Sequence, residues 1–467
     1  MKGLPAGWIL GYNARYMNSL SNREPSVLLL GDIFCLLASL WLSLLFRAFE
    51  VPSQELFFLH LVPFSFLFLV WVVVFYIAGL YERHTLMLQS RLPAILFNTQ
   101  VVNSTIAVVF FYFVPLFGIT PKTILFIYLI VSFIIIFVWR TYVYFFVGVK
   151  QPINAVLVGS GEEMRELFEE VNANPLYSFR FVSSVDLDRV ENDGFKDEIV
   201  SRIYSEGVTM IAIDLANEKV EPVLPSLYNL IFSKIQFVDM YKVYEDIFKR
   251  VPLSLLKYNW FLENISTSPR HTYDALKRVM DILISIPLFS VFFITYPFAL
   301  IAMKIEDGGP VFIHQERVGK NNKIIRIVKF RSMTTNDHGE YKNGSTELKV
   351  TKVGAFLRKT RLDEFPQLWN VLRGDISLIG PRPELPSLVK LYEKEIPYYN
   401  VRHLIKPGLS GWAQIYQDIN HPHHTQAVMQ TKEKLSYDLY YIKNRSFITD
   451  LKIALKTIKT LLSRVGV

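Results

Sequence analysis

Residues 27–46 read VLLLGDIFCLLASLWLSLLF and carry one charge, Asp32. A helix of this composition has no polar face, and ~20 apolar residues is the length that crosses a bilayer. Three similar runs follow. Residues 56–81 are apolar apart from His60 and a few hydroxyls, and 95–117 are uncharged, with Asn98, Gln100 and Asn103 near one end. Residues 124–147 are apolar except for Arg140 and Thr141. The four runs predict four transmembrane helices within residues 1–150; a soluble bundle would need a polar stripe on each. The first run follows a polar leader and has no A-x-A site after it, so it is not a cleavable signal peptide. Asp32 and Arg140 become intramembrane charges, for which helix packing or snorkelling is the expected role.

Basic residues set the orientation. The leader has Lys2, Arg15 and Arg23, the loop after the second run Arg83 and Arg91, and the exit of the fourth Arg140 and Lys150. The other two loops have Arg47 at an edge, with Glu50 and Glu55, and Lys122. Leader, middle loop and everything after residue 150 are therefore expected in the cytoplasm. The whole chain is 51% hydrophobic and 20% charged. It is too apolar for an ordinary soluble enzyme, where about 25% is charged, and too charged to be membrane throughout. Its single cysteine, Cys35, excludes an intrachain disulfide and a cysteine zinc cluster. A net charge of +8 asks for an anionic partner: nucleic acid, a membrane surface or a phosphorylated substrate.

Residues 151–262 change character. Strands are expected at 155–158, 180–185, 209–214 and 235–238, with helices at 162–171 and around 220–232. This alternation predicts a Rossmann-like parallel, doubly wound sheet. Gly159-Ser160-Gly161 follows the first strand, but Met164 stands where a dinucleotide fingerprint has its third glycine. A dinucleotide site, with Asp186 on the ribose, competes with a structural or regulatory domain, and the latter is preferred.

A fifth apolar run, 279–303 (VMDILISIPLFSVFFITYPFALIAM), contains Pro287 and Pro297. Lys277 and Arg278 precede it; Lys304, Arg317 and Lys320 follow it. Basic residues on both sides place both ends at one face, which a kinked, re-entrant helix satisfies. Residues 311–313 and 324–330 then suggest a hairpin with Lys329 and Arg331 at its end.

The stretch 357–383 reads LRKTRLDEFPQLWNVLRGDISLIGPRP. Pro366 belongs in a first helical turn, so a helix should begin near Asp363 or Glu364, with Leu368, Trp369 and Leu372 as its apolar stripe. That puts an acidic pair at the positive helix end, among Arg358, Arg361, Arg373 and Arg382. The cluster is either an ion-pair network or a phosphoryl-transfer site. In the second case one carboxylate attacks phosphorus while arginines and a divalent cation hold the phosphate oxygens.

The blocks VKFRSM (328–333), RLDEFPQLWNVLRGDISLIGPRP (361–383), KPGLSGWAQI (406–415) and YDLYYIKNRSFITDLKIALKTI (437–458) resemble the bacterial sugar transferases. These are monotopic polyprenyl-phosphate glycosyl-1-phosphate transferases, and the resemblance covers residues 270–467. The four-helix leader and the middle domain look like the large form, which includes undecaprenyl-phosphate galactose and glucose phosphotransferases. The resemblance implies transfer of a sugar-1-phosphate from a UDP-sugar to undecaprenyl phosphate, with release of UMP. That reaction starts exopolysaccharide, capsule or O-antigen assembly. Asp363 matches the nucleophile, which forms a covalent phosphosugar intermediate, and Glu364 its partner. Mg2+ would sit near Asp363 and Glu364, while Lys329, Arg331, Arg358 and Arg382 match or adjoin basic substrate-binding positions. The family's re-entrant helix breaks at a Ser-Pro pair; Pro297 matches the proline, and Tyr296 replaces the serine.

The expected architecture is a mixed membrane protein of the bacterial inner membrane. It has four transmembrane helices (1–150), a Rossmann-like α/β domain (151–262) and an α/β catalytic domain (263–467) with a re-entrant helix (279–303). After residue 450, Leu451, Leu455, Ile458 and Leu462 share a helical face flanked by Lys452, Lys456, Lys459 and Arg464, which suits an anionic leaflet. His421, His423 and His424 have only Asp418 nearby, so a solvated loop is preferred to a metal site. A membrane-anchored nucleotide-sugar dehydratase or epimerase would need a full glycine fingerprint and a Tyr-x-x-x-Lys pair. Tyr241 and Tyr244 have no lysine four residues on. A non-catalytic export scaffold is disfavoured by the intact Asp363-Glu364 pair. The positive charge then reads as membrane flanks and a phosphate site, with no nucleic-acid partner. The identity of the sugar and self-association into an oligomer are left open.

Overall fold

The computed structural model describes residues 7–81, 92–113, 122–143, 153–174, 177, 179–188, 207–215, 217–223, 235–265, 270–334, 349–417 and 428–463. Contacts divide the chain into two units, Met1–Met240 and Tyr241–Val467.

The first unit opens with helices α1 (Gly7–Ala48), α2 (Gln54–Ile77), α3 (Leu92–Phe113) and α4 (Lys122–Val138), the last continued by a π-turn, Trp139–Val143. Segments Ser26–Ala48, Gln54–Ile77, Ile95–Phe113 and Thr123–Thr141 are each long and apolar enough to cross a membrane. Residues 114–117 and 144–147 of the expected runs lie outside the described residues. Helices α2 and α4 pack through large rings: Tyr128 of α4 lies 5.0 Å from Phe64 and 5.4 Å from Trp71 of α2, centroid to centroid. Trp71 Nε1 donates to the Asn103 carbonyl of α3 at 3.1 Å. Leu30, Phe34, Leu69 and Phe126 face outward, as apolar side chains do where lipid is the solvent.

Asp32 and Arg140 are fully buried against each other. Arg140 Nε donates to Asp32 Oδ1 at 3.0 Å and Nη1 to the Leu80 carbonyl at 2.7 Å, while the Tyr81 hydroxyl donates to Asp32 at 2.8 Å. The two charges thus fasten α1, the end of α2 and the π-turn together. That is a packing role, which leaves no bare charge in an apolar layer.

The same unit contains strands β1 (Ile153–Gly159), β2 (Phe179–Asp186), β3 (Met210–Ile213) and β4 (Gln236–Asp239), with helix α5 (Gly161–Ala173) after β1. The sheet is parallel throughout, in the order β2-β1-β3-β4. All four strands fall where apolar runs placed them. Of the helix expected around 220–232, a 3-10 turn at Glu218–Val223 is described; residues 224–232 lie outside the described residues.

The second unit comprises α6 (Met240–Phe248), α7 (Tyr258–Asn264), α8 (His271–Glu306), β5 (Phe312–Val318), β6 (Ile324–Phe330), α9 (Lys352–Lys359), α10 (Gln367–Arg373), β7 (Ser377–Ile379), α11 (Pro386–Glu395), β8 (Gly408–Ser410), α12 (Trp412–Gln417), α13 (Val428–Asn444) and α14 (Phe447–Ser463). By contacts this unit also takes in residues 241–262. Residues 241–262 pack on α12 and α13, through Arg250–Glu433 at 2.9 Å, Lys443–Glu245 at 2.8 Å and Trp412 Nε1 donating to the Lys249 carbonyl at 2.8 Å.

Helix α8 runs 36 residues through Pro287 and Pro297. The helix continues through both prolines, each of which removes one backbone hydrogen bond and can bend the helix without ending it. One face is Asp281, Ser285, Phe289, Phe292, Tyr296, Ala299 and Met303, set against the domain core. The opposite face, including Leu283, Ile286, Phe293, Ile294, Phe298 and Ile301, is exposed. Both ends are tied to the same domain. Lys277 pairs with Asp450 at 2.9 Å, and the Glu306 carboxylate accepts from the Lys352 and Val353 amides at 2.6 and 3.0 Å.

Candidate active site

The hairpin β5–β6 is antiparallel, with Phe312 opposite Phe330 and Val318 opposite Ile324. Alternation along β5 turns Ile313, Gln315 and Arg317 to one side, and these residues line a small cavity with Lys329. Helix α9 closes on the end of β6. Thr351 caps it by accepting from the Gly354 amide at 2.9 Å, and a Cβ on Gly354 would run into the Ser332 backbone. One turn on, Arg358 Nε donates to Ser332 Oγ at 2.8 Å.

After α9 the chain reverses at Arg361, whose φ of 57° lies in the left-handed region. The 3-10 turn Leu362–Glu364 follows, and α10 begins only at Gln367, with Pro366 at its N-cap. The acidic pair thus sits one turn ahead of the α-helix expected to start at it. The helix stripe also differs. Leu368 and Val371 are buried with Gln367 and Asn370, whereas Trp369 is 52% exposed and stacks on Phe289 of α8. Asn370 is inside because it bonds the edge of β6: Nδ2 donates to the Arg326 carbonyl at 2.8 Å and Oδ1 accepts from the Val328 amide at 3.2 Å.

Asp363 and Glu364 meet different surroundings. Glu364 accepts from Arg382 Nη2 at 2.6 Å and lies 4.0 Å from Lys329 Nζ. Burial works against its charge, but Arg382 and Lys329 outweigh burial and hold it down at about 2. Asp363 faces the cavity, and its Oδ1 is buried with no hydrogen-bond partner among the described residues. Burial and the neighbouring Glu364 push its carboxyl up to about 6, against Lys329, Arg358 and Arg382. Burial brings Lys329 down to about 8 despite Glu364. The result is one carboxylate fixed by cations and a second held ready, in a cavity of about 110 Å³. That volume takes a phosphoryl group, and the cavity is partly open to the outside.

The structure brings Lys329, Arg358, Asp363 and, through Glu364, Arg382 together. Arg331 is different. It lines the same cavity, but its guanidinium pairs with Asp307 and donates to the carbonyls of Pro310 and Met333 at 2.6 and 3.0 Å. It is a brace between the end of α8 and the hairpin rather than a free substrate-binding cation. Sequence reasoning did not single out Gln315, Arg317 or Ser332 as cavity residues; the signal was polar side chains on the inward-facing register of a hairpin. Nor did it find Arg402, which is buried 2.8 Å from Asp438 and donates to the Arg382 carbonyl at 2.9 Å, holding the loop that carries Arg382.

Elsewhere, Gly161 opens α5 at a φ of +85°, but Glu162 and Glu163 fill the first turn, where a pyrophosphate would need positive charge. Among the described residues no group of three or more His, Cys, Asp or Glu is placed to hold a metal ion. Asp418, His421, His423 and His424 lie outside the described residues.

A family model described as bacterial sugar transferase matches residues 272–464. The exopolysaccharide production protein PSS of Rhizobium leguminosarum bv. phaseoli is 36% identical over 195 residues, which cover 40% of this chain and 96% of that protein. The chain is a bacterial sugar transferase. The family segment holds the whole site, from Lys329 to Arg382. Other relatives include the UDP-N-acetylgalactosamine-undecaprenyl-phosphate N-acetylgalactosaminephosphotransferase of Aeromonas hydrophila, 44% identical over 206 residues, 43% of this chain and 47% of that one. The undecaprenyl-phosphate glucose phosphotransferase of Komagataeibacter xylinus is 29% identical over 328 residues, 65% of this chain and 58% of that one. The match spans about half the length of these last two bacterial sugar transferases.

Proposed function

We propose that the protein transfers a sugar-1-phosphate from a UDP-sugar to a polyprenyl phosphate such as undecaprenyl phosphate, releasing UMP. The observation that carries this reading is the unpartnered, buried carboxylate oxygen of Asp363, facing a phosphate-sized cavity lined by Lys329, Arg317 and Arg358. The names of the relatives, sugar phosphotransferases acting on undecaprenyl phosphate, supply the substrates.

In the first step an Asp363 oxygen attacks the phosphorus that bears the sugar, and the bond to the UMP oxygen breaks. UMP leaves with that electron pair, and an acyl phosphate bearing the sugar remains on Asp363. In the second step an oxygen of the lipid phosphate attacks the same phosphorus, Asp363 leaves as a carboxylate, and a polyprenyl diphosphate sugar is formed. Splitting one transfer between two bulky anions into two displacements is what a nucleophilic carboxylate offers. Lys329, Arg317 and Arg358 stabilise the phosphoryl oxygens, in a site where water is scarce and charge counts for more. Glu364, held by Arg382, anchors the turn. Mg2+ binds through one or two carboxylates plus substrate phosphates rather than in a protein cage. Asp363 and Glu364 fit that mode, and the orphaned Oδ1 is the donor such an ion would take. A bound ion would neutralise the diphosphate.

The acceptor is a lipid, so the site must lie at a bilayer surface. Helix α8 supplies the immersion: its outer face is apolar, and both of its ends are tied to one domain. A helix of this length, if straight, would span about 54 Å, yet both of its ends are tied to one domain, so α8 reaches into the leaflet with its apolar face and bends at its prolines to bring both ends to the same side rather than crossing. Helix α14 supports the same surface. Ile453 is buried while Phe447, Ile448, Leu451, Ile458 and Leu461 are exposed beside Lys452. We place both units' soluble parts on the cytoplasmic side of the bacterial inner membrane, and the product at the start of a surface glycan.

The test is Asp363→Asn in purified full-length protein with UDP-sugars, undecaprenyl phosphate and Mg2+. The amide cannot act as the nucleophile, so UMP release should vanish. Release near the wild-type rate would overturn the assignment.

A further inference from the structure

A second cavity, of about 500 Å³, lies in the same unit away from the dyad. It is bounded by the first turns of α8, the β5–β6 turn, the chain before β8 and the end of α13. Lys329 and the β5–β6 turn lie at opposite ends of the hairpin, about 17 Å apart along a strand. The two cavities are therefore separate.

Its lining is cationic. Two of the cations are already engaged: Lys277 pairs with Asp450, and Arg278 donates to the Val371 and Leu372 carbonyls at 2.6 Å each, closing the end of α10. Three others are not. Lys320 and Lys406 are exposed and have no ion-pair partner among the described residues, and Arg445 Nε is buried without a hydrogen-bond partner. The acids in the lining are Asp274, which is exposed, and Asp281, which accepts from Ser377 Oγ and the Leu378 amide at 3.0 Å each. Positive charge is therefore left over inside a cavity of ligand size.

The height of the cavity on α8 indicates the ligand. The exposed apolar face of α8 begins with Leu276 and Val279, level with Lys277 and Arg278, and continues through Leu283 and Ile286. The unengaged cations stand where a lipid phosphate would lie if that face is in the acyl region. We propose that this cavity binds the phosphate headgroup of an anionic glycerophospholipid, with its chains along α8. Bound there, the lipid would steady Arg278, which holds the end of α10, the helix that follows the Asp363–Glu364 turn. The site is independent of the transferase reading and rests on the immersion of α8.

Full-length protein in a neutral detergent would be titrated with phosphatidylglycerol, and bound lipid counted by native mass spectrometry. A basic residue near an anionic headgroup is worth about 1 kcal/mol. K320Q/K406Q/R445Q should therefore weaken binding by about a hundredfold, with phosphatidylcholine failing to compete. The milder K320Q/K406Q, altered only at exposed positions, should weaken it about tenfold to thirtyfold while still releasing UMP. D363N should bind lipid like the wild type, which separates this test from that of catalysis. Equal binding by wild type and both lysine variants would overturn the proposal. So would displacement of the lipid by inorganic phosphate or UMP, which would make the cavity a free-phosphate site.

Discussion

Replacing Glu364 by glutamine keeps the shape of the turn and removes one negative charge beside the proposed nucleophile. Asp363 stands at about 6 for two reasons, burial first and Glu364 second, while Lys329, Arg358 and Arg382 pull it down. Glutamine leaves the burial but removes the repulsion, and it frees Arg382 and Lys329 from a carboxylate 2.6 and 4.0 Å away. Both effects favour the ionised form of Asp363. The acid limb of kcat/KM should move down from about pH 6 by about one unit, which is about 1.4 kcal/mol in favour of the carboxylate. Lys329 also loses Glu364, the charge that supports its ammonium form, so the alkaline limb should fall below its wild-type position near 8. The wild-type profile should be a bell between about 6 and about 8, limited by protonated Asp363 below and neutral Lys329 above, and the variant bell should be displaced to lower pH on both sides. UMP release at low UDP-sugar concentration, followed from about pH 5 to about pH 9, reads both limbs. An acid limb that stays put or moves upward would show that Asp363 does not carry the titration.

Three further outcomes are expected. A chain beginning at Tyr241, where the contacts divide, should keep the chemistry, measured as UMP release in detergent, whereas one beginning near residue 263 should unfold more easily because it loses Arg250–Glu433 and Lys443–Glu245. Cysteines placed at Ile305 and at His271 should both react with a membrane-impermeant thiol reagent from the cytoplasmic side of vesicles; labelling at opposite sides would mean that α8 crosses. Arg402→Met should cost about 3–5 kcal/mol in denaturation, because it leaves Asp438 buried without its cation. It should also raise KM for the UDP-sugar by loosening the Arg382 loop.

What was legible in the sequence followed periodicity and composition. The four apolar runs, the parallel strands and the hairpin all appeared where local pattern put them, because each element is decided by its own side chains. Proline at 366 correctly marked a helix start nearby. What was not legible depended on partners far along the chain. Trp369 faces outward because Phe289 waits on α8, and Asn370 faces inward because it bonds β6. Arg331 looked like a free cation next to Lys329, but Asp307 holds it from the end of another helix. Residues 241–262 follow the sheet domain without a break in the sequence, and their packing is set by contacts far along the chain, the ion pairs to α13 and the Trp412 bond to the Lys249 carbonyl. The acidic pair was found, but the inequality of its two carboxylates was not: that depends on Arg382 reaching one and burial reaching the other.

The Asp32–Arg140 pair also constrains how the chain is made. The two residues are 108 positions apart, so at about 5–20 residues per second Asp32 is synthesised roughly 5–20 s before its partner. During that interval Asp32 has no cation beside it, and the Tyr81 hydroxyl is the partner that arrives first. A chain that ended after α3 would leave Asp32 with the Tyr81 hydroxyl but without its cation, so the clasp that joins α1 to the end of the fourth helix is the last of these contacts that synthesis can supply.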